Sequence, residues 1–87
     1  MIARKITYKG HFNQEAIAMI YDITRKIEIT GEVKPEGHLQ VTLNLEGDPS
    51  MIKLVQHQIE HKVKTAITGK TVEKIPYQYF AGLNFLP

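Results

Sequence analysis

Two short stretches of this sequence carry residue types and spacings that could do chemistry. The first is HQIEH, residues 57–61. Two histidines one helical turn apart can share a metal ion, and the glutamate between them can activate water, as in the H-x-x-E-H zinc peptidases. The surrounding pattern speaks against that use. Ile59 and Val63 belong to an apolar stripe, which puts His57, Glu60 and His61 on or near the solvated face with Lys62 and Lys64. Such a peptidase also needs a further carboxylate downstream and a larger body around its cleft, whereas Glu73 is the sole acid after His61. No metal ligand is assigned, and no cofactor is called for.

The second stretch is YKGHFNQEAIAMI, residues 8–20. A glycine-containing loop that runs into a helix N-terminus can hold an anion, because the loop and the first helical turn direct free backbone N–H groups outward. Lys9, Gly10, His11 and Asn13 are the candidate anion-binding residues. The same residues also have a purely structural use. Gly10 turns the chain, Phe12 plugs the core, and Asn13 caps the helix by accepting an orphan N–H. Glu15 favours the structural use, since a carboxylate in the first turn already complements the positive helix end and repels a phosphate.

Periodicity defines the elements that must position these residues. Ile2 to Lys9 alternates, with Ile2, Ile6 and Tyr8 on one side, and reads as a strand that Arg4 interrupts. Ala16, Ile17, Ile20, Ile23 and Ile27 recur at helical spacing, giving a helix from about Gln14 to Arg25. Ile27, Ile29 and Val33 then alternate with polar residues, as do Leu39, Val41, Leu43 and Leu45. These are two strands with one buried face each, joined by a turn at Pro35 and Gly37. Asp48 and Pro49 suit the N-cap and first position of a second helix. Its stripe is Ile52, Val55, Ile59, Val63 and Ala66, and Gly69 offers a stop. Thr71 to Phe80 reads as a last strand, at a sheet edge because it contains Pro76. The order βαββαβ implies an α+β, ferredoxin-like sandwich with two helices on one face of an antiparallel sheet.

Composition narrows the function classes. The chain has 87 residues, 43% hydrophobic and 23% charged, which suits one small globular domain over residues 1–87. It has no cysteine, so a disulfide framework, a thiolate metal site and a thiol nucleophile are excluded. That usage fits a reducing compartment, and a cytoplasmic location is expected. MIARKITYKG does not read as a secretory signal, and no apolar run approaches the ~20 residues of a membrane helix. The net charge of +2 is a mild excess that suits an anionic partner or simply solubility. Sequence-specific nucleic-acid binding is not expected. An RRM stacks bases on aromatic residues of its open sheet face; of His38, Gln40, Thr42 and Asn44 only His38, at the edge, suits stacking, and Tyr77 and Tyr79 on the last strand are expected to pack.

The segment ITGEVKPEGHLQVTLNLEGDPSMIKLVQHQIEHKV resembles the central part of acylphosphatases. Ile29-Thr30-Gly31 stands where that family opens its second strand, and Pro35-Glu36-Gly37 stands at its hairpin. Leu39 to Gly47 matches its third strand, and the helix from Pro49 its second helix. The resemblance covers about residues 3 to 75 and implies the acylphosphatase fold. It also implies hydrolysis of carboxyl-phosphate anhydrides, in which a loop like G-x-V-Q-G-V-x-F-R cradles the phosphate. The loop arginine clamps the phosphoryl oxygens, and an asparagine after the second strand positions water. The sequence departs from the family at both points. The arginine position falls at or near Ala18, and the asparagine position falls in the turn where Lys34 meets Pro35. Arg4, Arg25 or Lys9 would have to substitute in space.

The expectation is therefore an acylphosphatase-like domain without efficient catalysis that acts as a small interaction or anion-binding module. The alternative is a divergent acylphosphatase using Lys9, His11 and Asn13. Partners would be a small anion or a protein. The apolar tail, AGLNFLP, either folds back as a fifth edge strand or docks on a second copy, giving self-association.

Overall fold

In the computed structural model, which describes residues 1–87, the elements are β1 (Ile2–Gly10), α1 (Gln14–Arg25), β2 (Thr30–Glu36), β3 (Gln40–Gly47), α2 (Pro49–Lys62), β4 (Ile67–Lys74) and β5 (Leu83–Phe85). The strands form one sheet in the order β4-β1-β3-β2-β5. The β1–β3, β1–β4 and β2–β3 pairs are antiparallel, and β5 lies parallel to β2. The expected α+β architecture is present, and β5 makes the sheet mixed rather than purely antiparallel.

Alternation decides which face is buried. Ile6 and Tyr8 of β1, Val33 of β2, and Val41, Leu43 and Leu45 of β3 point to one face. There they meet Ala16, Ile20 and Ile23 of α1 and Ile52, Val55 and Ile59 of α2. Each large side chain fully buried in this layer contributes about 1.5–3 kcal/mol. Gly31 is required by the close approach of β2 to β3. Its φ is +142°, and a Cβ there would sit 1.9 Å from the Asn44 carbonyl oxygen.

Several boundaries differ from the sequence pattern. Strand β2 begins at Thr30 rather than Ile27, because the Lys26 and Ile27 N–H groups still bond to carbonyls of the α1 terminus. Leu39 lies in the turn before β3 and is 61% exposed, although its parity matches the inward set. Helix α2 stops at Lys62, where the Val63 N–H closes on the Ile59 carbonyl. Ala66 therefore belongs to the turn, and Gly69 lies within β4, opposite Lys9. Strand β4 runs from Ile67 to Lys74 rather than from Thr71 to Phe80, and it is an edge strand as expected.

After β4 the chain leaves the sheet edge and reaches Glu46 on the helix-free face. The Glu46 carboxylate, 1% exposed, accepts the backbone N–H groups of Gln78 and of Phe80, the latter at 2.9 Å. The tail then pairs with β2. The Gly31 N–H bonds the Gly82 carbonyl, and the Leu86 N–H bonds the Val33 carbonyl. Phe85 stacks at 4.5 Å from Tyr21, beneath the Arg25 guanidinium. Of the two expected arrangements for the tail, it folds back as a fifth edge strand.

Candidate functional site

The loop between β1 and α1 is held by the residues that flank it. Asn13 is the N-cap of α1, its side chain accepting the Ala16 N–H at 2.8 Å, and Phe12 is buried in the core. A Cβ on Gly10 would lie 1.8 Å from the Ala66 carbonyl oxygen, so the turn after α2 packs directly on the loop. On the other side the β2–β3 turn closes in, because the register places Lys9 opposite Gln40.

These approaches consume three of the donors at the loop. The Gly10 N–H bonds the Leu39 carbonyl at 3.0 Å, the His11 N–H bonds the Ala66 carbonyl at 2.9 Å, and the Phe12 N–H bonds the His38 carbonyl at 2.7 Å. They diverge to three carbonyls rather than converging on one point. His38 also donates from Nδ1 to the Phe12 carbonyl at 2.9 Å, since a carbonyl oxygen only accepts.

An open cleft lies at this end, beside the N-terminus of α1. His11, Asn13, Gln14 and His38 surround a space of about 620 Å³ floored by Phe12. The fold thus brings His11 and Asn13 together and adds Gln14 and His38, which pattern reasoning did not single out. The alternating pattern put His38 on the outward face of the third strand, whereas the fold places it in the turn before β3, where it meets the Phe12 carbonyl. Lys9 shares the parity of Lys5 and Thr7 and lies on the helix-free face of the sheet, away from α1.

None of the possible substitutes for the missing arginine reaches the cleft. Ala18 is exposed on α1, near Asp22 and Arg25. Arg4 lies in the β1 rung opposite Leu45 and Lys74, roughly 20 Å along the strand from Gly10. Arg25 stands in the last turn of α1, over Phe85.

The HQIEH stretch is also distributed by the fold. His57 and His61 are exposed. Glu60 turns toward the sheet, where it accepts the Tyr8 hydroxyl at 2.8 Å and pairs with the Lys70 ammonium at 3.0 Å. Burial, then the hydrogen bond and charge of Glu60, push the Tyr8 phenol far above its ordinary value of 10.0. No group of three or more histidine or acidic side chains is placed to hold a metal ion. No helix is long and apolar enough to cross a membrane.

Comparison with solved structures decides the fold. The acylphosphatase from Bacillus subtilis superposes with a TM-score of 0.85 at 13% identity, covering 100% of both chains. The fold is acylphosphatase-like. An acylphosphatase from Coxiella burnetii gives 0.82 at 16% identity, covering 98% of this chain and 92% of that one. The acylphosphatase-like fold also matches the BlrP1 BLUF structure, with a TM-score of 0.63 at 17% identity over 99% of this chain and 65% of that one. No protein-family model matches the chain, and no curated protein matches it. At these identities the likeness concerns the fold alone, and one fold hosts many functions.

Proposed function

We propose that this cytoplasmic, acylphosphatase-like domain, spanning residues 1–87, lacks efficient acyl-phosphate hydrolysis. It works instead as a small interaction or anion-binding module through the cleft beside the β1–α1 loop. The observation that carries this reading is the pairing of the Gly10, His11 and Phe12 N–H groups with the Leu39, Ala66 and His38 carbonyls. An oxyanion cradle needs donors aimed at one point before the substrate arrives, and losing one such donor typically costs about 10²–10³ in rate. The reading is further supported by the exposed position of Ala18 and by the distance of Arg4 and Arg25 from the cleft, since a bidentate guanidinium is the usual clamp on a phosphoryl group. His11, Asn13, Gln14 and His38 provide the polar contacts for a small anion or an acidic group of a protein partner. Lys9, which lies on the other face of the sheet, contributes only long-range charge.

The test is an assay of the purified chain with a simple aroyl phosphate. Turnover far below ~1 s⁻¹, the low end of ordinary enzymes, is expected. Turnover at or above that level, lost in His11→Ala or Asn13→Ala, would establish the divergent hydrolase instead.

A further inference from the structure

The face of the sheet opposite the helices is not a flat solvated surface. A polar groove of about 460 Å³ runs over β1, β2 and β3, and Leu86 of the folded-back tail forms part of its wall. The register fixes its floor. Lys5, Asn44 and Glu32 share one rung, and Thr7, Thr42 and Lys34 share the next. All six side chains have the same parity and therefore rise from one face.

Three charges on this floor have no partner within the protein. Lys5 and Glu32 are half-buried, yet neither they nor Lys34 forms an ion pair or a side-chain hydrogen bond. Glu36, at the groove's end, is by contrast satisfied by Gln40 and by Thr42, the latter at 3.2 Å. Their charged ends are therefore free to meet an outside counter-charge in a charge-assisted hydrogen bond. The groove thus carries two cations, Lys5 and Lys34, and two anions, Glu32 and the hydrogen-bonded Glu36, with the hydroxyl and carboxamide groups of Thr42 and Asn44 between them.

That arrangement selects its occupant. A polyanion such as RNA is disfavoured by Glu32 and by the lack of any aromatic residue on the floor. An apolar ligand would meet only Leu86. We infer that the groove binds a small zwitterion of the α-amino acid class, its carboxylate between Lys5 and Lys34 and its ammonium group on Glu32. Asn44 and Thr42 accept or donate hydrogen bonds at the centre. Neighbouring strands lie about 4.8 Å apart, so the span from β1 to β2 is roughly 10 Å, which lets long lysine side chains close on a ligand of this size. This site lies on the opposite face of the sheet from the helices, and its existence does not depend on the reading of the loop cleft.

The inference is tested by ¹H–¹⁵N spectra of the full chain titrated with a panel of the free L-α-amino acids, each to about 10 mM, with acetate and methylammonium as single-charge controls. At least one amino acid is expected to shift the amides of Thr42, Leu43 and Asn44 with a saturable response. Glu32→Gln and, separately, Lys5→Gln should each weaken it about tenfold or more, as loss of one charge-assisted contact does. The dispersed spectrum itself reports that each variant is folded, and the two substitutions lie on different strands. The inference is overturned if no amino acid gives a saturable shift, if the variants respond like the unmodified chain, or if acetate alone reproduces the response. Shifts confined to His11–Gln14 would likewise overturn it and assign the binding to the loop cleft.

Discussion

Glu46→Ala should unfasten the segment that crosses the helix-free face. Glu46 ends the alternating third strand, and its parity places it among outward residues, yet it is 1% exposed because the segment after β4 lies over it. Its carboxylate accepts the N–H groups of Gln78 and Phe80. A hydrogen bond to a charged group contributes about 1.5–3 kcal/mol, so losing two costs roughly 3–6 kcal/mol if the segment stays in place. The segment is on the surface and can lift to hydrate its freed N–H groups, so the lower end, about 3 kcal/mol, is the expected loss. For a domain of this size that corresponds to a fall in Tm of roughly 12–24 °C. Glu46→Gln keeps one acceptor but turns an NH₂ group toward the other donor, and should lose about half as much. Thermal melts measure the loss, and hydrogen exchange locates it, with the Gln78 and Phe80 amides losing protection before the β1–β3 ladder does. A Glu46→Ala variant that melts within about 2 °C of the unmodified chain, with both amides still protected, would refute the reasoning.

The remaining predictions concern other parts of the fold. Gly31→Ala forces a side chain into φ +142° and to within 1.9 Å of the Asn44 carbonyl oxygen, so denaturant melts should show a loss of at least about 3 kcal/mol. The Tyr8 phenol is raised above 10.0 in the folded chain, first by burial and then by Glu60, so its contribution to stability is complete below 10.0 and is lost as the pH rises above it. Melts from about pH 9 to pH 11 should therefore show falling stability, with a flatter profile in Tyr8→Phe. Tyr21 is also raised by burial and keeps some slope in that variant. His57→Ala combined with His61→Ala should shift stability by no more than about 0.5 kcal/mol, and chelator should leave Tm unchanged, because both imidazoles are exposed. Tight stoichiometric zinc binding by the unmodified chain, lost in the double variant, would contradict this.

Much of the architecture was legible in the sequence because it rests on local periodicity. The helix from Gln14 to Arg25 follows from the 3.6-residue spacing of Ala16, Ile20 and Ile23 and from the Asn13 cap. Asp48 and Pro49 likewise mark the start of α2. The alternation of Val41, Leu43 and Leu45 determined which face of β3 is buried, since a shift of one residue would turn every one of them to water. Such signals lie within a few residues of where they act.

What the tertiary structure decided depends on contacts between distant segments. The α2–β4 boundary moved because the Ala66 carbonyl is taken by His11, far away in sequence, while Gly69 serves a strand instead of a helix end. Glu60 looked like a solvated helix residue until the fold set it over Tyr8. The loop shows the same division most clearly. Gly10, His11 and Asn13 have the composition of an anion site, but composition does not say where a backbone N–H finds its acceptor. That was settled by the approach of Leu39, His38 and Ala66, which use the same donors from two other turns. A side chain's type and parity are properties of the chain, whereas the partner of a buried donor is a property of the packed fold.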